Sequence, residues 1–235
     1  MQPEPKDKII LPLDVPDADA ARRLAGQLRG RVGLFKIGLQ LFTAAGPGLV
    51  REILEAGDGV FLDLKFHDIP NTVRHAVESA AGLGVQMTTI HLSGGPEMIR
   101  AAVAGAGGTP LRVLGVTVLT SSDAETLRAC GTDPDVAAQV LRLAALGVEN
   151  GIGGLVASPK EVPALRSRFG TALPLVIPGI RPAWAAANDQ KRILTPAEAV
   201  RAGADYLVIG RPITDHPEPA TAADRIAEEI AGALA

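Results

Sequence analysis

Short apolar runs recur along the chain, and most are followed by a longer stretch in which apolar residues return every three or four positions. The first pattern suits a buried strand and the second an amphipathic helix. The expected strands are Lys8 to Leu13, Val32 to Ile37, Gly59 to Phe66, Gln86 to Leu92, Leu111 to Leu119, Gly154 to Ala157, Leu175 to Ile177 and Asp205 to Ile209. Between them the pattern predicts helices. Asp17 opens one that runs to about Leu28. Leu39 to Ala56 forms another, broken near Gly46-Pro47-Gly48. Pro70 starts a third that ends near Leu83, and Ser93 to Pro96 leads into a fourth that ends near Gly105. Pro134 to Glu149 is strongly amphipathic, and a short helix is expected around Glu125 to Ala129. Ser158 to Glu161 and Thr195 to Glu198 are capping boxes with Pro at the first helical position. Their helices end near Gly170 and at Gly203, and the last helix runs from about Pro219 to Ala233.

Strict strand–helix alternation predicts a parallel sheet. Eight such units within 235 residues match a single-domain TIM (β/α)8 barrel spanning residues 1–235. The rival is an open doubly wound sheet, which usually carries a Gly-rich turn after its first strand; here that turn reads LDVPDAD. Residues Met1 to Pro5 are expected to be a loose lead-in. The long segment at about 178–194 exceeds the usual βα turn of ~2–6 residues. It reads as a lid that closes over a bound phosphate.

The densest chemistry lies in Phe61 to Val73, FLDLKFHDIPNTV, with Asp63, Lys65, His67 and Asp68 close together. Strand alternation points Asp63 and Lys65 to one face and Leu62, Leu64 and Phe66 to the other. Burying an acid beside a base is costly unless they pair or do work, so a structural ion pair is the competing reading. In a barrel the active site lies at the C-terminal ends of the strands. Asp14, Lys36, Asp63, Lys65, His91, Thr120 and Arg211 all fall there. Such convergence is hard to explain as core packing. Barrels often hold phosphate in the loops after the seventh and eighth strands. Those loops read IPGIRP and IGRP, which makes Arg181, Arg211 and the Gly210 amide the phosphate candidates, against a reading of solvated surface arginines. Gln190 is placed to donate to the same phosphate from the lid, and Trp184 to pack the lid on the rim.

A lysine inside a barrel can form a Schiff base or deliver a proton. Asp63 and Asp68 nearby favour proton delivery, within a charge network of Lys36, Asp63, Lys65 and Asp68. His67, His75, His91 and His216 lack metal-ligand spacing. Asp63 and Asp68 are in principle Mg²⁺ ligands, with Lys65 a competing cation between them. No GxSxG elbow is present.

Composition removes other classes. The net charge of −3 gives no global pull towards nucleic acid, and 3% aromatic residues leave few stacking platforms. Cys130 is the sole cysteine, so no internal disulfide framework is expected. No window is long and apolar enough for a membrane span, and the polar start MQPEPKDK does not read as a secretory signal. A cytoplasmic location is expected.

DLKFHDIPNTV resembles the signature of the orotidine 5′-phosphate decarboxylase family, bacterial type. The resemblance extends over nearly the whole chain: LDV at Asp14, FKIG at Lys36, VTVLTS ending at Ser121, IPGIRP, DQKR around Gln190 and TPAEAVRAGADYLVIGRPI. DxKxxD alone is shared with a wider group of barrel enzymes, including Mg²⁺-dependent sugar-phosphate decarboxylases and aldolases; the HDIPNT continuation and DQKR make the match specific. The resemblance implies conversion of orotidine 5′-monophosphate to UMP and CO₂ with no cofactor and no metal. It assigns Lys65 as proton donor to C6 of the pyrimidine and Asp63 as the carboxylate set against the substrate carboxylate. Lys36 and Asp14 become ribose contacts, and Thr120 with Ser121 the pyrimidine contacts. Arg181, Gln190, Gly210 and Arg211 become the phosphate grip, with Ile69 and Pro178 beside the substrate. It also implies a homodimer in which Asp68 and Thr72 reach the partner's site. Helix capping is the competing reading for those two residues.

Overall fold

The computed structural model describes residues 4–185 and 194–234. Its strands are β1 (Ile9–Pro12), β2 (Leu34–Gly38), β3 (Val60–Phe66), β4 (Met87–His91), β5 (Arg112–Val116), β6 (Leu155–Val156), β7 (Leu175–Pro178) and β8 (Tyr206–Val208). They form a closed parallel barrel in chain order, with β8 paired back to β1. The helices are α1 (Ala18–Leu28), α2 (Leu39–Glu55), α3 (Pro70–Leu83), α4 (Gly95–Gly105), α5 (Ala124–Ala129), α6 (Val136–Glu149), α7 (Val162–Phe169), α8 (Pro196–Ala202), α9 (Arg211–Thr214) and α10 (Pro219–Leu234). The expected TIM barrel is the observed fold.

Local chemistry sets the helix ends. Asp17 accepts a hydrogen bond from the Ala20 amide at 2.8 Å and caps α1, and Asp135 does the same for α6 from Ala138 at 3.0 Å. Thr195 and Glu198 form the expected reciprocal box at the start of α8. The break anticipated in α2 is a kink at Gly46, whose φ of 65° only glycine adopts without strain. Some boundaries differ from expectation. Residues Pro5–Lys8 form a 3₁₀ turn, the Ser158 box opens a further 3₁₀ turn before α7, and the short α9 had no periodic signal. β5 ends at Val116 because its pairing with β6 stops there, leaving Val118 to Thr120 to the loop above.

Two apolar layers result. Residues such as Ile9, Leu11, Phe35, Ile37, Leu62 and Ile90 face outward and pack beneath the helices. Ile10, Leu34, Phe61, Met87, Leu114 and Val176 fill the barrel interior, with Val156, Tyr206 and Val208 against them. Complete burial of a side chain of this size contributes roughly 1.5–3 kcal/mol. Strand alternation then places Lys36, Asp63, Thr89 and Val116, each two residues further along, directly above this plug. The polar site therefore has an apolar floor.

A clamp holds the opposite, N-terminal face. Arg166 of α7 donates to the carbonyls of Gly203 (2.8 Å), Gly170 (2.9 Å) and Leu173 (2.7 Å). It also pairs with Asp205, whose carboxylate accepts the Leu175 amide at 2.8 Å.

Candidate active site

The site is built around an irregularity in β3. Phe61 lies opposite Met87 and Leu62 opposite Thr88, but Phe66 lies opposite Ile90. Asp63, Leu64 and Lys65 therefore stand against Thr89 alone. To accommodate them Lys65 adopts φ 49°, the one positive φ outside glycine among the described residues. Such a conformation costs on the order of 1–3 kcal/mol and persists where its surroundings over-determine it. Plain alternation predicted that Asp63 and Lys65 share a face, and they do meet, but through a bulged strand. Leu62, Leu64 and Phe66 pack outward as expected.

The Lys65 ammonium donates to both Asp63 oxygens, at 2.9 and 2.8 Å. Lys36 Nζ lies 3.7 Å from Asp63 Oδ2 and 3.3 Å from Asp14 Oδ1. Asp14, Lys36, Asp63 and Lys65 thus form a continuous chain of alternating charge. Asp63 is buried and Lys65 only partly so. The Thr89 hydroxyl, fully buried, accepts from the Lys65 backbone amide at 2.8 Å and donates to Asp63 Oδ1 at 2.9 Å. His91 ends β4 beside this group, its ring 5.6 Å from that of His67. Burial, and then the nearby His67 and Lys65, hold the His91 pKa below the ordinary imidazole value, while Asp63 opposes the shift.

A cavity of about 330 Å³ opens above the network. Asp14, Lys36, Asp63 and Lys65 line it with Thr120, Pro178, Arg181, Gly210 and Arg211, all expected from sequence. Four cations face two carboxylates in its wall, so the cavity complements a small polyanion. Arg181 is buried and Arg211 exposed. Gly210 passes so close to β1 that a Cβ there would lie 2.9 Å from Pro12 Cγ. The chain around Arg181 is fixed at both ends of its loop. Its amide donates to the Leu194 carbonyl at 2.9 Å, and Ile180 bridges to Leu194. Trp184 sits edge-on to His216 at 5.7 Å, with the Arg225 guanidinium 4.6 Å from its ring centroid.

Other expected residues do not join this wall. Asp68, Ile69 and Thr72 are exposed at the start of α3, and Ser121 is exposed beyond the cavity. Helix capping does not occupy Asp68 or Thr72: Ile69 is the N-cap of α3, no side chain caps that helix, and the Asp68 carboxylate accepts its neighbour's amide, from Ile69 at 2.6 Å. Gln190 and the central part of the expected lid lie outside the described residues. Both Asp63 oxygens are engaged by Lys65, and no group of three or more His, Cys, Asp or Glu among the described residues is arranged to hold a metal.

Sequence reasoning missed Thr89 and the apolar wall of Val116, Val118, Leu119, Val156, Ala157 and Val208. A hydroxyl two residues before His91, in the inward register of β4, was the available signal for Thr89. The apolar wall had none, because its residues look like any barrel core.

Comparison with known proteins places this geometry. Residues 7–226 match the model of the orotidine 5′-phosphate decarboxylase / HUMPS family. The chain is similar to the orotidine 5′-phosphate decarboxylase of Geobacter sulfurreducens, 53% identical over 96% of each chain. It is 54% identical to the enzyme of that name from Anaeromyxobacter dehalogenans, over 95% of this chain and 98% of the relative. Among solved structures it resembles orotidine 5′-phosphate decarboxylase from Lactobacillus acidophilus, with TM-score 0.84 and 35% identity over 94% of this chain and 98% of that one.

Proposed function

Because the chain belongs to the orotidine 5′-phosphate decarboxylase / HUMPS family, we propose that it is a carboxy-lyase converting orotidine 5′-monophosphate to UMP and CO₂ in pyrimidine biosynthesis, without metal or cofactor. The observation that carries this reading is the Asp63–Lys65 pair, which opens into the same cavity as Arg181 and Arg211. The phosphate is bound by Arg181, Arg211, the Gly210 amide and Gln190. Asp14 and Lys36 take the ribose hydroxyls, and Thr120, Ser121 and Pro178 the pyrimidine side. This orientation sets the C6 carboxylate against Asp63 and C6 against Lys65 Nζ.

The bond between C6 and the carboxylate carbon breaks, CO₂ leaves, and the electron pair stays at C6. The Lys65 ammonium stabilises that charge and gives it a proton, forming UMP; water then returns a proton to Lys65. Binding energy from the distant phosphate lowers the barrier when it assembles the site around the reacting carbon. The acting unit is a homodimer in the cytoplasm, with Asp68 and Thr72 reaching the partner's site. Their exposure beside an N-terminus of α3 that they do not cap supports this reading.

The test is the loss of orotidine 5′-monophosphate absorbance, with UMP identified as product, in metal-free buffer containing EDTA. Turnover is expected to persist. Activity abolished by EDTA, or absent with orotidylate and present with a keto-sugar phosphate plus Mg²⁺, would overturn the proposal in favour of a metal-dependent sugar-phosphate lyase.

A further inference from the structure

Thr89 lies at the one place where β3 and β4 lose register. Three β3 residues, Asp63, Leu64 and Lys65, face it where a regular ladder would place one. Its hydroxyl takes over the function of the missing ladder contact. The Lys65 amide donates to Thr89 Oγ1 rather than to a strand carbonyl. A hydroxyl has one proton to give, and an ionised carboxylate only accepts. With Oγ1 accepting from Lys65, its proton points to Asp63 Oδ1, 2.9 Å away. The result is a directed relay from the Lys65 amide through the Thr89 hydroxyl to the Asp63 carboxylate. Thr89 is fully buried, so water cannot replace either bond.

We infer that Thr89 is a positioning residue for decarboxylation: one hydroxyl fixes both the backbone that carries Lys65 in its left-handed conformation and the carboxylate rotamer of Asp63. This inference rests on the proposed chemistry, because it matters only if the Asp63–Lys65 geometry sets the rate. Thr89 does not line the cavity and acts through its two neighbours, Asp63 and Lys65. Without the hydroxyl, the Lys65 amide and Asp63 Oδ1 each lose a buried partner. Asp63 can then rotate, and the bulge can relax towards ordinary strand geometry. The ammonium moves away from the position required at C6, while Arg181 and Arg211 keep their grip on phosphate.

The experiment compares the wild-type chain with Thr89→Val, which keeps the shape and removes the hydroxyl, and Thr89→Ser, which keeps the hydroxyl. For Thr89→Val, kcat with orotidine 5′-monophosphate is expected to fall roughly ten- to a hundredfold, the size of one lost hydrogen bond to a charged group expressed as a rate. KM and the affinity for UMP should change by less than about threefold, and Thr89→Ser should return kcat to within about threefold of wild type. A general loosening of the fold would instead weaken UMP binding in step with kcat. Wild-type turnover with an unchanged kcat in Thr89→Val overturns the inference, as does failure of Ser to rescue. If Thr89→Val does not fold, Thr89→Ala is read by the same criteria; failure of both to fold assigns the hydroxyl to folding and overturns the positioning role. Absence of orotidylate turnover in the wild-type chain is a different result, which removes the proposed function itself.

Discussion

Lys65 combines a chemical demand and a conformational one. Its ammonium must meet Asp63, and its backbone must sit at φ 49° to bring it there. These demands separate in a pair of variants. Lys65→Ala and Lys65→Gly both lack the ammonium, so both should lose turnover by at least about 10²–10⁴, the usual contribution of a positioned proton donor. UMP binding should survive, because Arg181, Gly210 and Arg211 are untouched. The two variants differ in stability. Alanine retains the cost of a left-handed backbone and glycine does not, so Lys65→Gly should be more stable than Lys65→Ala by about 1 kcal/mol. This order is the reverse of that in an ordinary strand, where glycine is the weaker residue. Denaturant midpoints of the two proteins check it; an Ala variant as stable as the Gly variant would mean that the bulge relaxes once the ammonium is gone. The strain was not legible in the sequence, since FLDLKF alternates like a regular strand. Asp63 and Lys65 themselves were legible, because charges in an apolar strand are rare without a partner or a task.

At the scale of elements, the two ends of the barrel serve different purposes. The C-terminal ends carry the charge network, whereas at the N-terminal face Arg166 ties α7, the turn after it and the start of β8 into one unit. Arg166→Ala leaves three carbonyls and the Asp205 carboxylate without that donor. Asp205 is partly solvated, so the loss falls below that of a fully buried pair, at about 2–3 kcal/mol. The unfolding midpoint should drop accordingly, while kcat and KM measured well below the transition stay at wild-type values. A lower kcat at full folding would show that the clamp reaches the site. The sequence offered no reason to select Arg166, because three of its partners are backbone carbonyls, and Gly203 and Asp205 reach it only through closure of the barrel. The elements it joins were legible throughout: strand–helix alternation gave the architecture, and Asp17 and Thr195 gave helix starts through side chains that cap locally. Errors fell where tertiary pairing decides the boundary, as at the early end of β5, or where an element is too short to show a period, as in α9.

At the scale of the whole molecule, one chain presents a cavity with Lys65, Arg181 and Arg211 in its wall, while Asp68 stands outside that cavity. Among the described residues Asp68 makes no salt bridge with Lys65. Two apolar side chains are exposed where neighbouring strands give way to helices: Leu39 after β2, 58% exposed, and Ile69 after β3, 66% exposed. A surface of this kind fits a twofold contact between copies, and in the proposed homodimer it carries Asp68 to the partner's Lys65. Mixed dimers decide the matter. Lys65→Ala and Asp68→Asn chains are each expected to be inactive alone. In a dimer containing one of each, the Asp68→Asn chain retains its own Lys65 and receives an intact Asp68 from the other chain, so one site is whole. Random assembly at equal amounts makes about half the dimers mixed, and one site in two of those works, so the unsorted mixture should recover about a quarter of wild-type activity and the isolated mixed dimer about half. If Asp68 instead serves its own chain, every site in the mixed dimer lacks one residue and no activity returns. Co-expression with two tags, isolation of the doubly tagged dimer and an orotidylate assay separate the outcomes, and the result does not depend on how far either single variant is destabilised.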